Sequence, residues 1–319
     1  MAPLPIALTS GEPAGVGPEI AAKAWEALRG ELDFFLIGDP GHLPAGTPVA
    51  EIAAPGEAAA AMAQGLPVLA RDFGAPRLPG QAQATHAPHV VAAIREAVAL
   101  VRAGEAAAVC TNPIHKKALQ DGAGFGFPGH TEFLADLAGV PRAVMMLACD
   151  ALRVVPVTIH IPLSQVPEAL TPELLEDTIR ITEAALRAGI ARPRLAVAGL
   201  NPHAGEGGAM GHEEIEMIAP LIDRLRAEGL EIAGPLPADT MFHPQARARY
   251  DVAICQYHDQ ALIPIKTLDF AHGVNVTLGL GFVRTSPDHG TAFDIAGQGR
   301  ADPASLIAAL RMARDMAPA

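Results

Sequence analysis

The sequence is poor in aromatic residues, in lysine and in charge of either sign. Aromatic side chains make up 4% of the 319 residues, with one Trp and two Tyr, so stacking platforms for nucleic-acid bases are not expected. Only 18% of the residues are charged, and 35 acidic against 23 basic side chains give a net charge of -12. This charge has the wrong sign for a phosphate backbone or an anionic membrane surface. Nucleic acid and membrane are therefore not expected as partners.

Membrane spans, secretion signals and disulfides are not expected either. No run approaches the roughly 18 apolar residues of a span, and residues 1–10 lack the basic and apolar regions of a signal peptide. The three cysteines (Cys110, Cys149 and Cys255) are an odd number in apolar runs without a C-x-x-C pair. They predict reduced thiols in a core, which is typical of a cytoplasmic protein.

Apolar residues are abundant at 50%, beside 31 Gly and 29 Pro. Short apolar runs alternate with longer amphipathic stretches, a pattern that predicts an α/β fold with a mostly parallel sheet and crossover helices. Strands are predicted at 5–9, 33–37, 106–111, 143–149, 154–160, 194–200, 251–257 and 275–280, and helices at 18–28, 87–102, 172–188 and 213–228. The segment 40–80 is predicted to be irregular. No clear linker divides the chain, so we expect residues 1–319 to form a single catalytic unit of two intertwined α/β lobes.

Two glycine-rich segments are candidates for ligand loops. Residues 10–19 follow the first predicted strand and open a helix, so their backbone N–H groups could hold an anion, or the segment is simply a tight turn. Residues 124–129 match G-x-G-x-x-G. No apolar strand precedes them and Pro128 interrupts them, so they do not indicate a Rossmann dinucleotide site.

His130 and Thr131 follow this second segment at the predicted start of a short helix. A histidine and a hydroxyl at a helix N-terminus suit an anionic substrate. The alternative is that Thr131 only caps the helix and His130 lies at the surface.

Three histidines follow predicted strands: His160, His203 and His258. In open α/β sheets ligands collect at the carboxyl ends of strands, so these imidazoles could converge on one divalent metal. Structural histidines remain the alternative, because no local metal signature such as H-E-x-x-H is present.

Lys266, Asn275 and Arg284 follow at intervals of nine residues in low-charge surroundings. Lysine and arginine could bind the phosphate and the carboxylate of a small substrate. The alternative is ordinary surface charge.

Five motifs stand out along the chain: TSGEPAGVGPE at 9–19, GHTE at 129–132, NPHAGE at 201–206, YHDQ at 257–260 and RTSPDHGT at 284–291. Taken together in order and spacing, they resemble the 4-hydroxythreonine-4-phosphate dehydrogenase family of vitamin B6 biosynthesis. The resemblance covers nearly the whole chain. One departure is Asn112 before Pro113, where the family more often has Gly, and it concerns contacts near the cofactor.

The resemblance implies a homodimer with the two-lobed isocitrate and isopropylmalate dehydrogenase type of fold, whose nicotinamide site is not a G-x-G-x-x-G turn. The family's metal-binding histidines match His160, His203 and His258, and its metal site is shared between the two subunits. Its substrate-binding residues match five positions of this chain: His130, Thr131, Lys266, Asn275 and Arg284.

The implied reaction is the oxidation of the C3 hydroxyl of 4-phosphooxy-L-threonine by NAD or NADP. The 3-oxo acid product should then lose carbon dioxide to give 3-amino-2-oxopropyl phosphate. One divalent metal ion is implied, zinc or alternatively magnesium or cobalt. Lys266 and Asp239 are the candidate catalytic proton acceptors, and the residues that contact the nicotinamide cofactor are not identified.

Three alternative functions remain open at this point. A related dehydrogenase could act on a phosphorylated sugar acid, either 4-phosphothreonate or 4-phosphoerythronate. A phosphate acyltransferase of similar fold would need neither the histidines nor a nicotinamide. A binding protein with structural histidines is the third.

Overall fold

The protein is represented by a computed structural model that describes residues 3–317. The chain forms two compact units. Unit 1 contains the residues up to Ala143 together with those from Val274 onward, and unit 2 contains Val144–Gly273. Unit 1 is thus built from both ends of the chain, and unit 2 from its middle.

Twelve strands are described. They are β1 (Ile6–Thr9), β2 (Phe34–Gly38), β3 (Val49–Ile52), β4 (Leu66–Ala70), β5 (Val109–Thr111), β6 (Val144–Cys149), β7 (Leu152–Thr158), β8 (Arg194–Ala198), β9 (Glu231–Leu236), β10 (Val252–Tyr257), β11 (Val274–Leu278) and β12 (Arg284–Pro287).

Eleven α-helices are described with them. They are α1 (Gly17–Leu28), α2 (Ala58–Ala61), α3 (Ala87–Arg102), α4 (Lys116–Ala123), α5 (His130–Ala138), α6 (Val166–Ala169), α7 (Pro172–Leu186), α8 (Ala219–Ala227), α9 (Pro244–Arg247), α10 (His258–Leu268) and α11 (Ala304–Met316).

In unit 1 the strands lie in the order β3-β4-β2-β1-β5-β12-β11. All neighbours are parallel except β11 and β12, which are antiparallel. Thr9 is the register partner of Thr111, so the carboxyl ends of β1 and β5 lie together. The apolar face of this sheet packs against α3, whose buried residues include Val90, Ile94 and Val98.

In unit 2 the order is β6-β7-β10-β8-β9, with only the β6–β7 pair antiparallel. Residues of β7, β8 and β10 form a buried core with Ala261 and Ile265 of α10. The carboxyl ends of β7, β8 and β10 therefore lie at one edge of the sheet, because parallel strands share their direction.

These sheets confirm the predicted α/β class and its mostly parallel pairing. The α3 prediction matches the observed bounds, and Thr171 caps α7 by accepting a 3.2 Å hydrogen bond from the Leu174 backbone N–H. All three cysteines are free and buried, as predicted. No helix within residues 3–317 is long and apolar enough to cross a membrane.

One prediction of secondary structure is wrong, and one helix is confirmed except in the type of its first turn. The segment 40–80 is not irregular, since it contains β3, α2 and β4. Its strands have only four and five residues, too few to show a clear period, and they gain their hydrogen bonds from each other and from β2. The predicted helix at 213–228 begins as a π-helical turn, Glu214–Ile218, before α8.

Candidate active site

Two of the three predicted metal-binding histidines lie next to each other in unit 2. Tyr257 and Thr158 are register partners at the ends of β10 and β7, so the residues that follow these strands are neighbours. The ring centroids of His160 and His258 are 5.8 Å apart, with an angle of 42° between the ring planes. His160 has a φ of 54°, a left-handed conformation that is rare for residues other than Gly and is often found at functional sites.

This histidine pair lines a cleft of about 230 Å³. The other lining residues are Thr158, Ile161, Leu163, Val166, Tyr257 and Asp259. The Nδ1 atom of His258 lies 2.7 Å from the Asp259 carboxylate. A carboxylate on Nδ1 orients the ring and leaves Nε2 as the ligand atom, which is a common arrangement in metal sites. The pair therefore fits a divalent ion as two nitrogen donors.

The third histidine, His203, lies in the loop that follows β8, and its side chain is exposed. Across residues 3–317, no group of three or more His, Cys, Asp and Glu side chains is arranged to hold a metal ion. A single copy of the chain thus brings together His160 and His258 but not His203.

Both candidate proton acceptors also belong to unit 2. Asp239 is exposed in a short 3-10 turn, Ala238–Thr240, after β9. Lys266 lies on α10, eight residues after His258, which corresponds to about 12 Å along the helix axis. Its Nζ lies 5.4 Å from the centroid of the Phe270 ring.

Arg284 is the most unusual predicted site residue of unit 1, because it is 98% buried as the first residue of β12. Its Nη2 donates a 2.6 Å hydrogen bond to the Thr111 hydroxyl, and its Nη1 donates a 2.9 Å hydrogen bond to the Thr277 hydroxyl. Its Nε is buried without a hydrogen-bond partner among the described residues.

No carboxylate within residues 3–317 forms an ion pair with Arg284. Burial lowers the pKa of the guanidinium to about 10, so the group is still charged at neutral pH. An unpaired buried charge is costly to folding. A buried guanidinium without a carboxylate partner is suited to binding an anion. The burial of Arg284 excludes the alternative of ordinary surface charge for this residue.

Asn275 lies on the same sheet face as Arg284. In the antiparallel β11–β12 pair, Thr277 is the partner of Arg284, and Asn275 is two residues from Thr277. The Oδ1 atom of Asn275 is buried and also lacks a hydrogen-bond partner in the described chain. A ligand with both hydrogen-bond acceptors and donors would satisfy Arg284 and Asn275 together.

His130 is the first residue of α5, and its Nε2 is buried without a partner among the described residues. Burial holds the pKa of His130 well below its usual range, and the charges of Arg284 and Lys116 lower it further. The ring is therefore neutral at neutral pH. The N-cap of α5 is Gly129, with no side-chain cap hydrogen bond, so Thr131 does not cap the helix.

The structure bears differently on the predictions for the two glycine-rich segments. Residues 124–129 connect α4 to α5, with Gly124 in a left-handed C-cap, which confirms that they are not a strand-to-helix dinucleotide turn. In residues 10–19 the backbone N–H groups of Glu12, Ala14, Gly15 and Val16 all donate within unit 1. Ala14 and Gly15 donate to Glu12 within the segment, whereas Glu12 and Val16 donate to the carbonyl groups of Pro113 and Thr291.

Sequence reasoning missed the two threonines that hold Arg284. Thr111 is the last residue of a predicted strand, and this position alone could have marked it as a candidate site residue. Thr277 falls inside another predicted strand and carried no signal of its own. Their roles depend on the pairing of β5 and β11 with β12, and β12 was not predicted.

Comparisons with known proteins place these features in a family. The family model described as pyridoxal phosphate biosynthetic protein PdxA matches residues 33–313. The 4-hydroxythreonine-4-phosphate dehydrogenase of Paracoccus denitrificans (strain Pd 1222) is 65% identical over 320 residues, which covers 98% of each chain.

Solved structures agree with the sequence match. A 4-hydroxythreonine-4-phosphate dehydrogenase from Burkholderia phymatum has a TM-score of 0.88 and 39% identity, with all of both chains covered. A β-decarboxylating dehydrogenase from Thermococcus kodakarensis has a TM-score of 0.50 and 15% identity, covering 97% of this chain and 82% of its own. The latter similarity is one of fold alone.

Proposed function

The chain belongs to the 4-hydroxythreonine-4-phosphate dehydrogenase (PdxA) family, and from this membership we propose that it oxidises 4-phosphooxy-L-threonine with NAD or NADP. The product, 2-amino-3-oxo-4-phosphooxybutanoate, loses carbon dioxide to give 3-amino-2-oxopropyl phosphate for the synthesis of pyridoxine 5'-phosphate. The buried Arg284 without a carboxylate partner carries the proposal, since it fits an anionic substrate.

Substrate anchoring falls to five residues, His130, Thr131, Lys266, Asn275 and Arg284. Arg284 supplies a fixed positive charge, and the phosphorylated amino acid brings negative charge at both ends. The unpaired Oδ1 of Asn275 can accept a hydrogen bond from the substrate's ammonium or hydroxyl group. Neutral His130 offers a hydrogen bond without adding a charge.

His160, His203 and His258 are the proposed ligands of one divalent ion, zinc in the first instance, with magnesium or cobalt as alternatives. When bound, the ion supplies Lewis acidity that favours loss of the proton from the C3 hydroxyl. His160 and His258 are adjacent, and Asp259 orients the second ring. We propose that His203 serves the site of a second copy of the chain, as the family resemblance implies.

The reaction removes a hydride and a proton from the substrate. A bound nicotinamide cofactor would supply the hydride acceptor, and a base of the protein would take the hydroxyl proton. Lys266 and Asp239 are the proposed proton acceptors. Residues 1–319 act in this proposal as one catalytic unit of two α/β lobes.

A homodimer is supported by exposed apolar side chains in unit 2. Seven of the nine exposed large hydrophobic residues among residues 3–317 belong to this unit: Ile161, Leu163, Met210, Ile215, Ile263, Leu268 and Phe270. Ile161 and Leu163 line the cleft of His160 and His258. Exposed apolar residues that form a patch are typical of a surface that binds another protein. The three buried free cysteines support a cytoplasmic location.

Absorbance at 340 nm tests this function directly. Purified protein is incubated with 4-phosphooxy-L-threonine and either NAD or NADP, before chelation, after chelation and after metal is added back. We expect reduction that is lost with the metal and restored with it. Reduction of the cofactor with 4-phosphoerythronate alone would assign a sugar acid substrate, and no reduction with any pair would reject the dehydrogenase.

A further inference from the structure

The loop that carries His203 has an unusual backbone. Five consecutive residues, His203 to Gly207, have φ values of 53°, 52°, 79°, 42° and 66°. Three of the five are not glycine, and left-handed conformations bring the Cβ of an L-residue close to its own carbonyl oxygen. Such a run persists only where surrounding contacts impose it.

The carboxylate of Glu214 is 2% exposed and contacts the residue that precedes this run by two positions. Its Oε1 accepts a 2.8 Å hydrogen bond from the backbone N–H of Asn201, and its Oε2 accepts a 3.0 Å hydrogen bond from Asn201 Nδ2. Asn201 lies two residues before His203. Glu214 therefore fixes the point at which the chain enters the left-handed run.

Glycines let the loop close around this carboxylate. A Cβ at Gly205 would lie 2.7 Å from Glu214 Oε2, and a Cβ at Gly199 would lie 3.1 Å from Oε1. A larger residue at Gly205 would displace the Glu214 carboxylate, and the φ of 79° at this position also favours glycine. Glu214 is also the first residue of the π-helical turn that precedes α8, a type of irregularity that is frequent at functional sites.

Glu213 adds a second contact. Its Oε2 accepts hydrogen bonds from Asn201 Nδ2 at 2.7 Å and from the His212 backbone N–H at 3.1 Å. The Asn201 amide group therefore lies between two carboxylates. The contacts of Asn201 with Glu213 and Glu214 thus lie just before His203, whose imidazole is exposed to solvent.

We propose that Glu214 is a positioning residue that holds His203 in a preformed left-handed loop, ready to bind metal. This inference rests on the proposed role of His203 as a metal ligand. A preformed loop binds more tightly, because the ordering entropy is lost on folding and not on metal binding.

Glu214→Gln tests the proposal, because the amide keeps the size of the side chain but places an N–H group against the donors of Asn201. Glu216→Gln is the matched control, as Glu216 is exposed on the same turn. Two quantities are measured on the intact protein: amide hydrogen exchange of residues 201–211 without metal, and the dissociation constant for cobalt(II). In Glu214→Gln we expect exchange about tenfold faster and a dissociation constant roughly 10- to 100-fold higher.

Unchanged exchange in Glu214→Gln would overturn the positioning role. Faster exchange with unchanged cobalt binding would show that Glu214 holds the loop but that His203 is not a ligand, which overturns the metal role and not the contact. If Glu214→Gln does not fold, Asn201→Ala removes the facing amide donor from a partly exposed position. The same faster exchange and weaker cobalt binding are expected, and wild-type values would reject the proposal.

Discussion

Arg284 donates a 2.6 Å hydrogen bond from Nη2 to the hydroxyl of Thr111, across the neighbouring parallel strands β12 and β5. The hydroxyl that accepts this bond retains its own hydrogen, which it can donate to a bound anion. Thr277 contacts Nη1 in the same way. The two threonines therefore fix the plane of the guanidinium group. Their hydroxyl groups also add two hydrogen-bond donors for an anion to the residues that the family resemblance indicates.

Thr111→Val is expected to raise the KM for the phosphorylated substrate by roughly 10- to 100-fold, since a hydrogen bond to a charged group is worth about 1.5–3 kcal/mol. Thr111→Ser should retain most of the wild-type KM because it keeps the hydroxyl. Steady-state kinetics at 340 nm measure both, and the KM for the nicotinamide cofactor should not change.

Thr285→Val is the matched control for this comparison. Thr285 is equally buried on the same strand as Arg284, but its hydroxyl donates to the Ala309 carbonyl at 2.9 Å. Loss of the Thr285 hydroxyl should therefore lower the free energy of unfolding without changing the KM for the substrate. Equal KM values for Thr111→Val and Thr285→Val would contradict the role given to Thr111.

Asp259→Asn should weaken metal binding by roughly 10- to 100-fold, because the carboxylate orients the His258 ring from its Nδ1 side. The chain offers a close control. Asp269 makes the same kind of contact with the exposed His272, at 3.0 Å, and Asp269→Asn should leave metal affinity unchanged. Titration with cobalt(II) measures the affinity of both variants, and equal losses in the two would show that the Asp259 contact has no specific role.

His130 predicts an acid-dependent loss of stability. The folded protein keeps the ring neutral because its pKa is lowered, whereas the unfolded chain takes up a proton below about pH 6.5. The contribution of neutral His130 to the free energy of unfolding is therefore fully present above that pH. It falls as the pH decreases towards the lowered pKa, by at most about 1.4 kcal/mol per pH unit for one proton. His130→Gln should show a shallower slope in urea unfolding between pH 6.5 and 5.5.

A slope that remains as steep in His130→Gln as in the wild type would reject this assignment. Burial also lowers the pKa of His42 in unit 1. His42 therefore also causes a loss of stability as the pH decreases. For this reason the His130→Gln variant is expected to keep part of the dependence of stability on pH. The double variant with His42→Gln should be shallower still.

Strand-end placement was the informative part of the sequence. The predicted strands at 154–160 and 251–257 led to His160 and His258, and the structure brings these two together because β7 and β10 are parallel neighbours. The same rule did not bring His203 to them. A loop of left-handed residues follows β8, and nothing in the local pattern of that segment shows such a backbone.

The environment of Arg284 lay beyond sequence reasoning for a different reason. Its burial follows from β12, a four-residue strand that pairs with β5 more than 170 positions earlier in the chain. Non-local pairing of this kind has no periodic signature. The partners Thr111 and Thr277, and the absence of a carboxylate near the guanidinium among the described residues, are visible only in the structure.

The shared metal site is the central claim of this account, and hybrid dimers test it most directly. His203→Ala and His258→Ala proteins are each expected to be folded dimers without metal-dependent NAD(P) reduction. If each site combines His203 of one copy with His160 and His258 of the other, unfolding and refolding an equal mixture regenerates one intact site in every hybrid, or about a quarter of wild-type activity. A mixture as inactive as its parents, with hybrid dimers demonstrated by mass, would place all three ligands in one chain and contradict the claim.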